Sequence, residues 1–328
     1  MLIGALVLGL ILAFGLTGDL DRRQSAVPST AETFTMVELN ACWLFDGVGE
    51  EQFSTAPQCE ADAEGHLSDV AQYLAPLGAD IIVIEEIESG DMLHRLNEKL
   101  GGDYHEIFVE GTDEYTGQDV AALSTFPVLE LGRTDVVQAY PIAGSSFRAP
   151  MGKQGVDKHL WATLDVSGRP VTVIAVHFLA YPDEIMRAVP REAQALIVRN
   201  LAAGFLADGN DVIIAGDVND FDSVVLDAAG NEPISCVDTL LRDIDPDTEG
   251  DELTNVAALL DQEDRYTYWY DENHDGIDDG AQEHSMIDHI YVSRALAQSI
   301  VEVRIDHAGY EAFTVSDHWP VIVTFEIP

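Results

Sequence analysis

Four short apolar segments of the chain each end in a polar side chain that could handle a metal ion or a proton. Asn40 follows FTMVEL, Glu86 follows DIIVIE, His177 follows VTVIAV and Asp217 follows DVIIAG, with Asn219 two residues later. Carboxylate and amide oxygens are ligands for hard divalent cations, and an imidazole transfers protons near neutral pH. Brought together, side chains of these types could offset the charge of an anionic ester while water attacks it.

Two further segments carry the same residue types at their beginnings. Asp288 precedes an apolar run at 290–292, and Asp317 with His318 precedes the run at 319–325. If these runs are strands antiparallel to the first four, their beginnings lie at the edge where the other strands end. Ligands of α/β sheets bind at that carboxyl edge. The spacing therefore predicts that six segments converge on one site.

The elements that must position these side chains are visible in the apolar pattern. Runs rich in Val and Ile predict six buried strands, at 34–39, 80–84, 171–176, 212–215, 290–292 and 319–325. Amphipathic stretches predict helices at 66–77, at 90–100, and from Pro190, in the favoured first helical position, to the residue before Gly209. This alternation indicates an α/β domain in which helices cover buried sheets.

The segments DIIVIEE, VIAVH, AGDVND, MIDHIYVS and SDHWPV occur in an order and spacing that resembles the endonuclease/exonuclease/phosphatase superfamily. That superfamily includes deoxyribonuclease I-like nucleases, abasic-site endonucleases, neutral sphingomyelinases and inositol-polyphosphate phosphatases. The resemblance covers residues 34–328. It implies a four-layer α/β/β/α sandwich of two packed mixed sheets flanked by helices, with the site at one edge of the sheets.

The resemblance also implies a divalent-metal site. Glu86 matches the glutamate that holds the cation, Asn40 the asparagine beside it, and Asp317 the aspartate that completes the metal shell. We also expect Asp217 to lie at the cation. Oxygen ligands of this kind suit Mg²⁺ or Mn²⁺ better than zinc.

The remaining matches concern protons and the phosphate. His318 matches the catalytic histidine of the family, and Asp288 matches the aspartate that orients it. An Asp–His pair fixes the imidazole tautomer and raises its basicity. Asp217 and Asn219 match the pair that positions the attacking water and the phosphate, and His177 matches a second histidine that we expect to contact the phosphate.

The charge of the chain limits its substrates. Its 59 acidic and 16 basic residues give a formal net charge of −43. Such a surface repels phosphate, so it cannot bind nucleic acid through a general basic footprint. The repulsion weakens in concentrated salt, where the Debye length falls to roughly 3 Å at 1 M. The acid-rich, lysine-poor composition suggests a protein kept soluble in brine.

These features predict an exported, divalent-metal-dependent phosphodiesterase or endonuclease that hydrolyses nucleic acid as a monomer. A sphingomyelinase-like or inositol-phosphate phosphoesterase is the alternative with the same chemistry, because the fold hosts several substrates. A zinc hydrolase using His284 and His289 is a further alternative, although the chain has no H-E-x-x-H or G-x-S-x-G pattern. A non-catalytic, calcium-binding exported module is more distant, since a binder needs no paired catalytic groups.

The chain begins with an uninterrupted apolar run, MLIGALVLGLILAFGL. Its length is typical of a secretory signal and just short of a membrane span of about 20 residues. We therefore expect residues 1–18 to be an export signal or a membrane anchor. Residues 19–33 are expected to form a linker and residues 34–328 the catalytic domain, located outside the cytoplasm.

The chain contains three cysteines, Cys42, Cys59 and Cys236. They are too few for a disulfide scaffold and lack zinc-ribbon spacing. One Cys42–Cys59 bridge with Cys236 free is one interpretation, and three free thiols is the other.

Residues 271–282, DENHDGIDDGAQ, resemble the loop of a calcium site. Asp271, Asn273 and Asp275 occupy positions 1, 3 and 5, a glycine occupies position 6, and Asp279 occupies position 9. Position 12 departs from the pattern because it is glutamine rather than a bidentate glutamate. An acidic surface hairpin without an ion is the alternative interpretation.

We predict that calcium raises the melting temperature of the protein, and that the rise is absent in the Asp271→Ala/Asp275→Ala double variant. A ligand that binds only the folded state at 100 times its Kd stabilises that state by about 2.7 kcal/mol. The measurement is thermal unfolding with and without calcium while magnesium is held constant. If calcium does not change the melting temperature of the wild type, the loop is an acidic surface hairpin without an ion.

Overall fold

The computed structural model describes residues 32–49, 52–245, 248 and 250–327. The predicted leader at 1–18 and residues 19–31 of the predicted linker lie outside the described residues, so export and anchoring stay predictions. Among the described helices, none is both long enough and apolar enough to cross a membrane.

In the described part of the chain, strands and helices alternate as the apolar pattern predicts. The strands are β1 (Thr33–Leu44), β2 (Ile81–Ile87), β3 (His105–Phe108), β4 (Asp119–Ser124), β5 (Val128–Gly132), β6 (Gln138–Tyr140), β7 (Gly152–Gln154), β8 (Lys158–Val166), β9 (Arg169–His177), β10 (Asp211–Asp217), β11 (Thr254–Asn255), β12 (Tyr268–Trp269), β13 (His284–Ser285), β14 (Asp288–Val292), β15 (Ile300–Ile305) and β16 (Val321–Glu326). The α-helices are α1 (Glu60–Leu74), α2 (Gly90–Lys99), α3 (Ile185–Ala207), α4 (Val237–Arg242) and α5 (Arg294–Ser299). Single 3₁₀ turns occur at Ala75–Leu77, Val256–Leu259, Gln262–Asp264 and Ala281–Glu283.

Two six-stranded mixed sheets form the centre of the fold. The first has the order β15–β16–β1–β2–β4–β3, and β1 pairs parallel with β2 and antiparallel with β16. The second has the order β11–β14–β10–β9–β8–β5, and β10 pairs parallel with β9 and antiparallel with β14. Strands β14 and β16 therefore run opposite to their neighbours, as the positions of their polar residues predicted.

The sheets pack face to face because their central strands carry apolar side chains on both faces. Successive residues face opposite ways, so Ile81 and Val83 of β2 face the second sheet, whereas Ile82 and Ile84 face the helices. Helices α1 and α2 cover the outer face of the first sheet, and α3 and α4 cover that of the second. This arrangement is the predicted four-layer α/β/β/α sandwich.

The helix boundaries differ from the predicted ones where capping signals mislead. Helix α2 lies where it was predicted, and α1 with its 3₁₀ turn covers the helix predicted at 66–77 but begins earlier. The predicted start of the long helix at Pro190 is wrong, because α3 begins at Ile185 and contains Pro190 as its sixth residue. A proline lacks the N–H that would bond the carbonyl four residues back. Here that carbonyl belongs to the exposed residue Met186, which water can reach.

A buried histidine on β8, His159, has partners at both ring nitrogens. The Thr134 amide can only donate, and it lies 3.0 Å from Nε2, so Nδ1 carries the proton and donates to the Val156 carbonyl at 2.7 Å. Burial lowers the pKa of His159 to about 4, against the opposing effect of the Val156 hydrogen bond. Protonation would place a second N–H against the Thr134 amide, and the folded state therefore favours the neutral ring.

We expect His159 to destabilise the protein as the pH falls from 6.5 to 4. As the pH falls, the unfolded chain, with a histidine pKa of about 6.5, binds the proton before the folded chain does. Well above pH 6.5 the ring is neutral in both states, so His159 has no effect on the pH dependence of stability there. The free energy of unfolding of the wild type should therefore fall by roughly 2–3 kcal/mol more across this window than that of His159→Gln. Urea unfolding at several pH values measures both slopes, and equal slopes would contradict the assignment.

Candidate functional site

At one edge of the sandwich, the side chains that face the space between the sheets change from apolar to polar or ionisable. The inward row of β1 passes from Met36 through Glu38 to Asn40, and that of β10 passes from Ala215 to Asp217. The same change brings further polar side chains to this edge, namely Glu85, His177, Asp288 and His318. The apolar interior thus ends in a set of groups that can bind ions and move protons.

Backbone pairing places three of these groups in one row. Asp217 lies opposite His177 on one side and opposite Asp288 on the other. His177 Nε2 is 3.7 Å from Asp217 Oδ2 and 4.0 Å from Glu86 Oε1, which belongs to the first sheet. The edge therefore joins side chains from both sheets, as the strand directions predicted.

Glu86 reaches the site through a local break in β2. Its backbone is left-handed, with φ 59°, and the pairing with both neighbouring strands shifts register here. Such a conformation costs of order 1–3 kcal/mol in a residue other than glycine. In a regular strand Glu86 would face the helices, as Ile84 does. Instead its carboxylate accepts a hydrogen bond from the Trp43 amide at 3.1 Å.

Asn40 links the carboxylates of the two sheets. Its Nδ2 lies 3.4 Å from Glu86 Oε1 and 3.3 Å from Asp217 Oδ2. Its Oδ1 accepts from the Cys42 amide at 3.0 Å, and its carbonyl accepts from Ser316 Oγ at 2.6 Å. These bonds fix the amide so that it donates toward both carboxylates.

His318 and Asp288 form the predicted hydrogen-bonded pair. His318 Nδ1 is 2.8 Å from Asp288 Oδ2, and both side chains are buried. Thr267 Oγ1 accepts from the Asp288 amide at 3.1 Å, and the Tyr268 ring lies against the imidazole at 4.7 Å. Burial alone would lower the pKa of His318, but Asp288 and its hydrogen bond, with Asp317 and Asp217 adding, raise it to about 10.

The other pKa shifts reflect negative charge crowded into a buried place. Burial raises the pKa of Asp217 to about 8, and Asp288 adds to the rise. Burial and then Asp317 raise the pKa of Glu86. Burial lowers the pKa of His177, so that its imidazole is neutral. A bound cation would relieve the crowding of the carboxylates.

The last two predicted residues lie at the same edge. The Asn219 amide donates to Asp217 Oδ1 at 2.8 Å, and Asn219 Nδ2 donates to the Phe178 carbonyl at 3.3 Å. Asn219 is left-handed, with φ 50°, a conformation that asparagine tolerates better than most residues. Asp317 is partly exposed, and its charge raises the pKa of the Glu86 carboxyl nearby.

The three cysteines are free thiols, so the interpretation with a Cys42–Cys59 bridge is wrong. Cys42 has a left-handed backbone, with φ 50°, and lies near Glu86 and Asp317 at the site. Cys59 is exposed and is the residue that precedes α1. Separation along the sequence could not show that the two thiols belong to different surroundings.

Sequence reasoning assigned no role to three charged side chains beside the site. Glu38 and Glu85 are completely buried, and burial raises the pKa of both, with the charge of neighbouring carboxylates adding to the rise. Lys158 lies opposite His177 in register, and its positive charge lowers the pKa of Glu86. The scarcity of lysine, with three in the whole chain, is the signal that could have drawn attention to Lys158.

The donor set fits a divalent cation. Among the described residues, one group of three or more ligating side chains has atoms within 4.8 Å of one another, namely Asp217, Asp288 and His318. Asp288 Oδ1 is buried without a hydrogen-bond partner. Together with Glu86 the set is rich in carboxylate oxygens, which suit hard cations. This group joins Asp217 to the Asp–His pair rather than to Asp317, which the resemblance placed in the metal shell.

The residues of the other predicted ion sites lie apart from this edge or have other partners. Asp271, Asn273, Asp275 and Asp279 share an exposed loop whose side chains bond amides and side chains of the same loop, and calcium binding there stays a prediction. His284 contacts Asp278, whereas both ring nitrogens of His289 are engaged, by Asn255 and by the Asp220 carbonyl. These two histidines do not form a shared zinc site.

Comparisons with known proteins identify the family and the fold. The model of the Endonuclease/Exonuclease/phosphatase family matches residues 58–318, whereas the search of curated proteins finds no match. The fold is similar to TDP2 from C. elegans (TM-score 0.55, 16% identity, 90% of this chain and 75% of that one). It is also similar to an AP endonuclease from Archaeoglobus fulgidus (0.57, 14%, 90% and 100%) and to the human Nocturnin catalytic domain with bound sulfate anion (0.58, 16%, 90% and 95%). Because the family model spans most of the chain, the chain belongs to the endonuclease/exonuclease/phosphatase family.

Proposed function

We propose that the protein is a Mg²⁺- or Mn²⁺-dependent phosphodiesterase that hydrolyses nucleic acid. The observation that carries the proposal is the buried Asp288–His318 pair, with Nδ1 and Oδ2 2.8 Å apart, beside the carboxylate of Asp217. A site that only binds calcium has no use for an imidazole oriented by a carboxylate. The pair is the arrangement that general acid–base chemistry requires.

Each side chain at the site would have its own role in ester hydrolysis. Asp288 engages His318 Nδ1, so Nε2 is the nitrogen left to exchange a proton with the reacting oxygen. The Asn219 amide donates to Asp217 Oδ1 and Asn40 Nδ2 donates to Oδ2, so the carboxylate is held where Oδ2 can also accept a hydrogen bond from the attacking water. His177 is neutral and can donate a hydrogen bond to a phosphoryl oxygen without adding charge.

A divalent cation completes this chemistry. Glu86 and Asp217, with Asp317 beside them, are the residues that would hold it, since carboxylate oxygens are hard donors. Asn40, which the resemblance placed beside the cation, turns Nδ2 toward both carboxylates while its Oδ1 accepts from the Cys42 amide, so its role would be to position the ligands. When bound, it supplies neutralisation of the charge on the phosphoryl oxygens and on the leaving oxygen. Without it the anionic ester would face several carboxylates at close range.

Nucleic acid is the substrate that the observations favour. One similar structure is described as an AP endonuclease, and Lys158 supplies a positive charge beside His177 in a chain of net charge −43. A local cation of this kind suits one phosphodiester better than a long duplex, whose binding needs many phosphate contacts. Sphingomyelin and inositol phosphates share the reaction and are therefore outcomes of the test.

A substrate panel tests the proposal. Plasmid DNA, single-stranded DNA, RNA, sphingomyelin and an inositol polyphosphate are incubated with the protein at low and high salt, with Mg²⁺ or with EDTA. We expect hydrolysis of nucleic acid in Mg²⁺, none in EDTA, and a loss of about 10²–10⁴-fold in kcat for His318→Ala. His94→Ala is the matched control, because His94 is an exposed histidine on α2 that contacts Glu106.

Each result of the panel has a defined meaning. Hydrolysis that survives EDTA would exclude the metal, and near-wild-type turnover of a folded His318→Ala variant would exclude the Asp–His pair. Cleavage of sphingomyelin or inositol phosphate alone would replace nucleic acid as the substrate and keep the chemistry.

The metal assignment is tested by Glu86→Gln, with Glu85→Gln as its matched control. The two glutamates are neighbours in the sequence, but Glu86 turns toward Asn40 and His177 at the site, whereas Glu85 continues the buried inward row of β2. A neutral amide is a poorer ligand for a hard cation, so Glu86→Gln should raise the Mg²⁺ concentration for half-maximal rate about tenfold, a loss of about 1.4 kcal/mol in binding. A Mg²⁺ titration that shifts only in Glu85→Gln would reverse the assignment of the two glutamates.

A further inference from the structure

A line of three aromatic rings begins at Trp43, whose backbone amide contacts the candidate site. Trp43, whose amide donates to Glu86, has its ring centroid 4.7 Å from that of Phe53, which lies 6.0 Å from that of Tyr115. The Trp43 ring also packs on the buried Phe45, and Tyr115 at the outer end is 83% exposed. We call Trp43, Phe53 and Tyr115 the aromatic rim. The proposed hydrolytic chemistry leaves these three rings without a role.

The outer end of the aromatic rim is connected with the site by a series of contacts through Lys158. The Tyr115 amide donates to Asp113 Oδ1 at 3.0 Å, and Asp113 Oδ2 is 3.7 Å from Lys158 Nζ. Lys158 pairs in register with His177, and His177 Nε2 is 4.0 Å from Glu86 Oε1. These contacts therefore connect both ends of the line of rings with the site, through the Trp43 amide at Glu86 and through Asp113 and Lys158 beside His177.

We propose that the aromatic rim binds an unpaired nucleobase next to the phosphate being cleaved, so that the preferred substrate is single-stranded nucleic acid. The inference rests on the proposed phosphodiesterase activity and adds the class of substrate to it. A phosphate at a cation that Glu86 helps to hold would have Lys158 on one side and the aromatic rim beside it. The nucleoside attached to that phosphate then meets the rings.

The charge of the protein is the first argument for stacking. With a net charge of −43, the surface cannot gain affinity from many phosphate contacts, and such contacts supply most of the binding of duplexes. Stacking of a base on an aromatic side chain needs no basic residue and accepts every base, because each base has a π-face. A base within a duplex has both faces covered by its neighbours, whereas an unpaired base can offer one to a ring.

The surroundings of the rings favour a base over a lipid chain. An acyl chain needs a continuous apolar groove, but Asp113, Thr116 and Lys158 lie beside Tyr115 at the outer end. Thr116 Oγ1 donates to Asp113, so this end of the rim is a polar network. A planar base carries polar groups at its edge and an apolar face, which matches rings bordered by polar side chains.

The experiment compares two substrates that differ only in their bases. One is a dithymidine phosphodiester, and the other is its analogue in which both bases are replaced by hydrogen. The ratio of kcat/KM for the two is measured for the wild type, Phe53→Ala, Tyr115→Ala and Tyr115→Phe. Phe205→Ala is the matched control, because Phe205 forms an aromatic pair with Trp161, at 5.0 Å, on the outer face of the second sheet.

We expect the wild type to prefer the substrate with bases. The preference should fall about five- to tenfold in Phe53→Ala and in Tyr115→Ala, chiefly through an increase in KM. A decrease of this size corresponds to the loss of one weak base–aromatic stack. Tyr115→Phe, which keeps the ring, should restore it, and Phe205→Ala should show the wild-type ratio. An unchanged ratio in both alanine variants of the aromatic rim would overturn the proposal.

A binding measurement separates this inference from the proposed function. His318→Ala, alone and combined with Tyr115→Ala, is titrated with labelled oligothymidine, with its abasic counterpart and with sphingomyelin vesicles. If the wild type hydrolyses no phosphodiester, the proposed function fails, but tighter binding of the oligomer with bases, lost with Tyr115→Ala, still supports the aromatic rim. Equal binding of the two oligomers, or a Tyr115-dependent binding of vesicles alone, would overturn it.

Discussion

The register of β10 with its two neighbours is the constraint on which the site depends. It sets Asp217 opposite His177 in β9 and opposite Asp288 in β14. Because side chains alternate along a strand, a slip of one residue in either pairing would turn the partner to the other face of the sheet. The same slip would move apolar residues such as Ala215 and Ile290 out of the space between the sheets. Burial of these apolar residues therefore fixes the register, and the register fixes the positions of the polar residues that follow them in the same row.

The inward rows also determine which carboxyl groups can ionise. Glu38 and Glu85 lie completely buried behind Asp217 and Asp288, and burial raises the pKa of both, so their neutral forms are favoured. Glu86 follows this row in the sequence, and its left-handed backbone turns it away from the helix side of the sheet and toward the site. Charge is thereby concentrated where a cation and an anionic ester would meet, rather than spread through the interior. The strained conformation of Glu86 is the local cost of this arrangement.

Much of the site could be predicted from the sequence because it is built where buried strands end. Asn40, His177 and Asp217 each follow an apolar run, and the ends of such runs meet at one edge of a sheet. The start of α3 could not be predicted in the same way, because proline is favourable at the first helical position and is also tolerated where water can take the lost bond. Loop residues such as Phe53 and Tyr115 have no periodic pattern, so only the folded chain shows that their rings meet.

The two kinds of contact at the opening respond to salt in different ways, and this difference connects the composition with the site. Phosphate contacts by surface cations weaken steeply as salt rises, and so does the repulsion from a charge of −43. The proposed stacking on the aromatic rim does not depend on long-range fields, and a contact of the largely buried Lys158 with a phosphate would be screened less than that of a surface cation. In dilute salt the overall charge opposes any polyanion, whereas near 1 M salt, with a Debye length of roughly 3 Å, the short-range contacts alone remain. The proposed function and the proposed role of the aromatic rim together imply that the protein binds nucleic acid better in concentrated than in dilute salt.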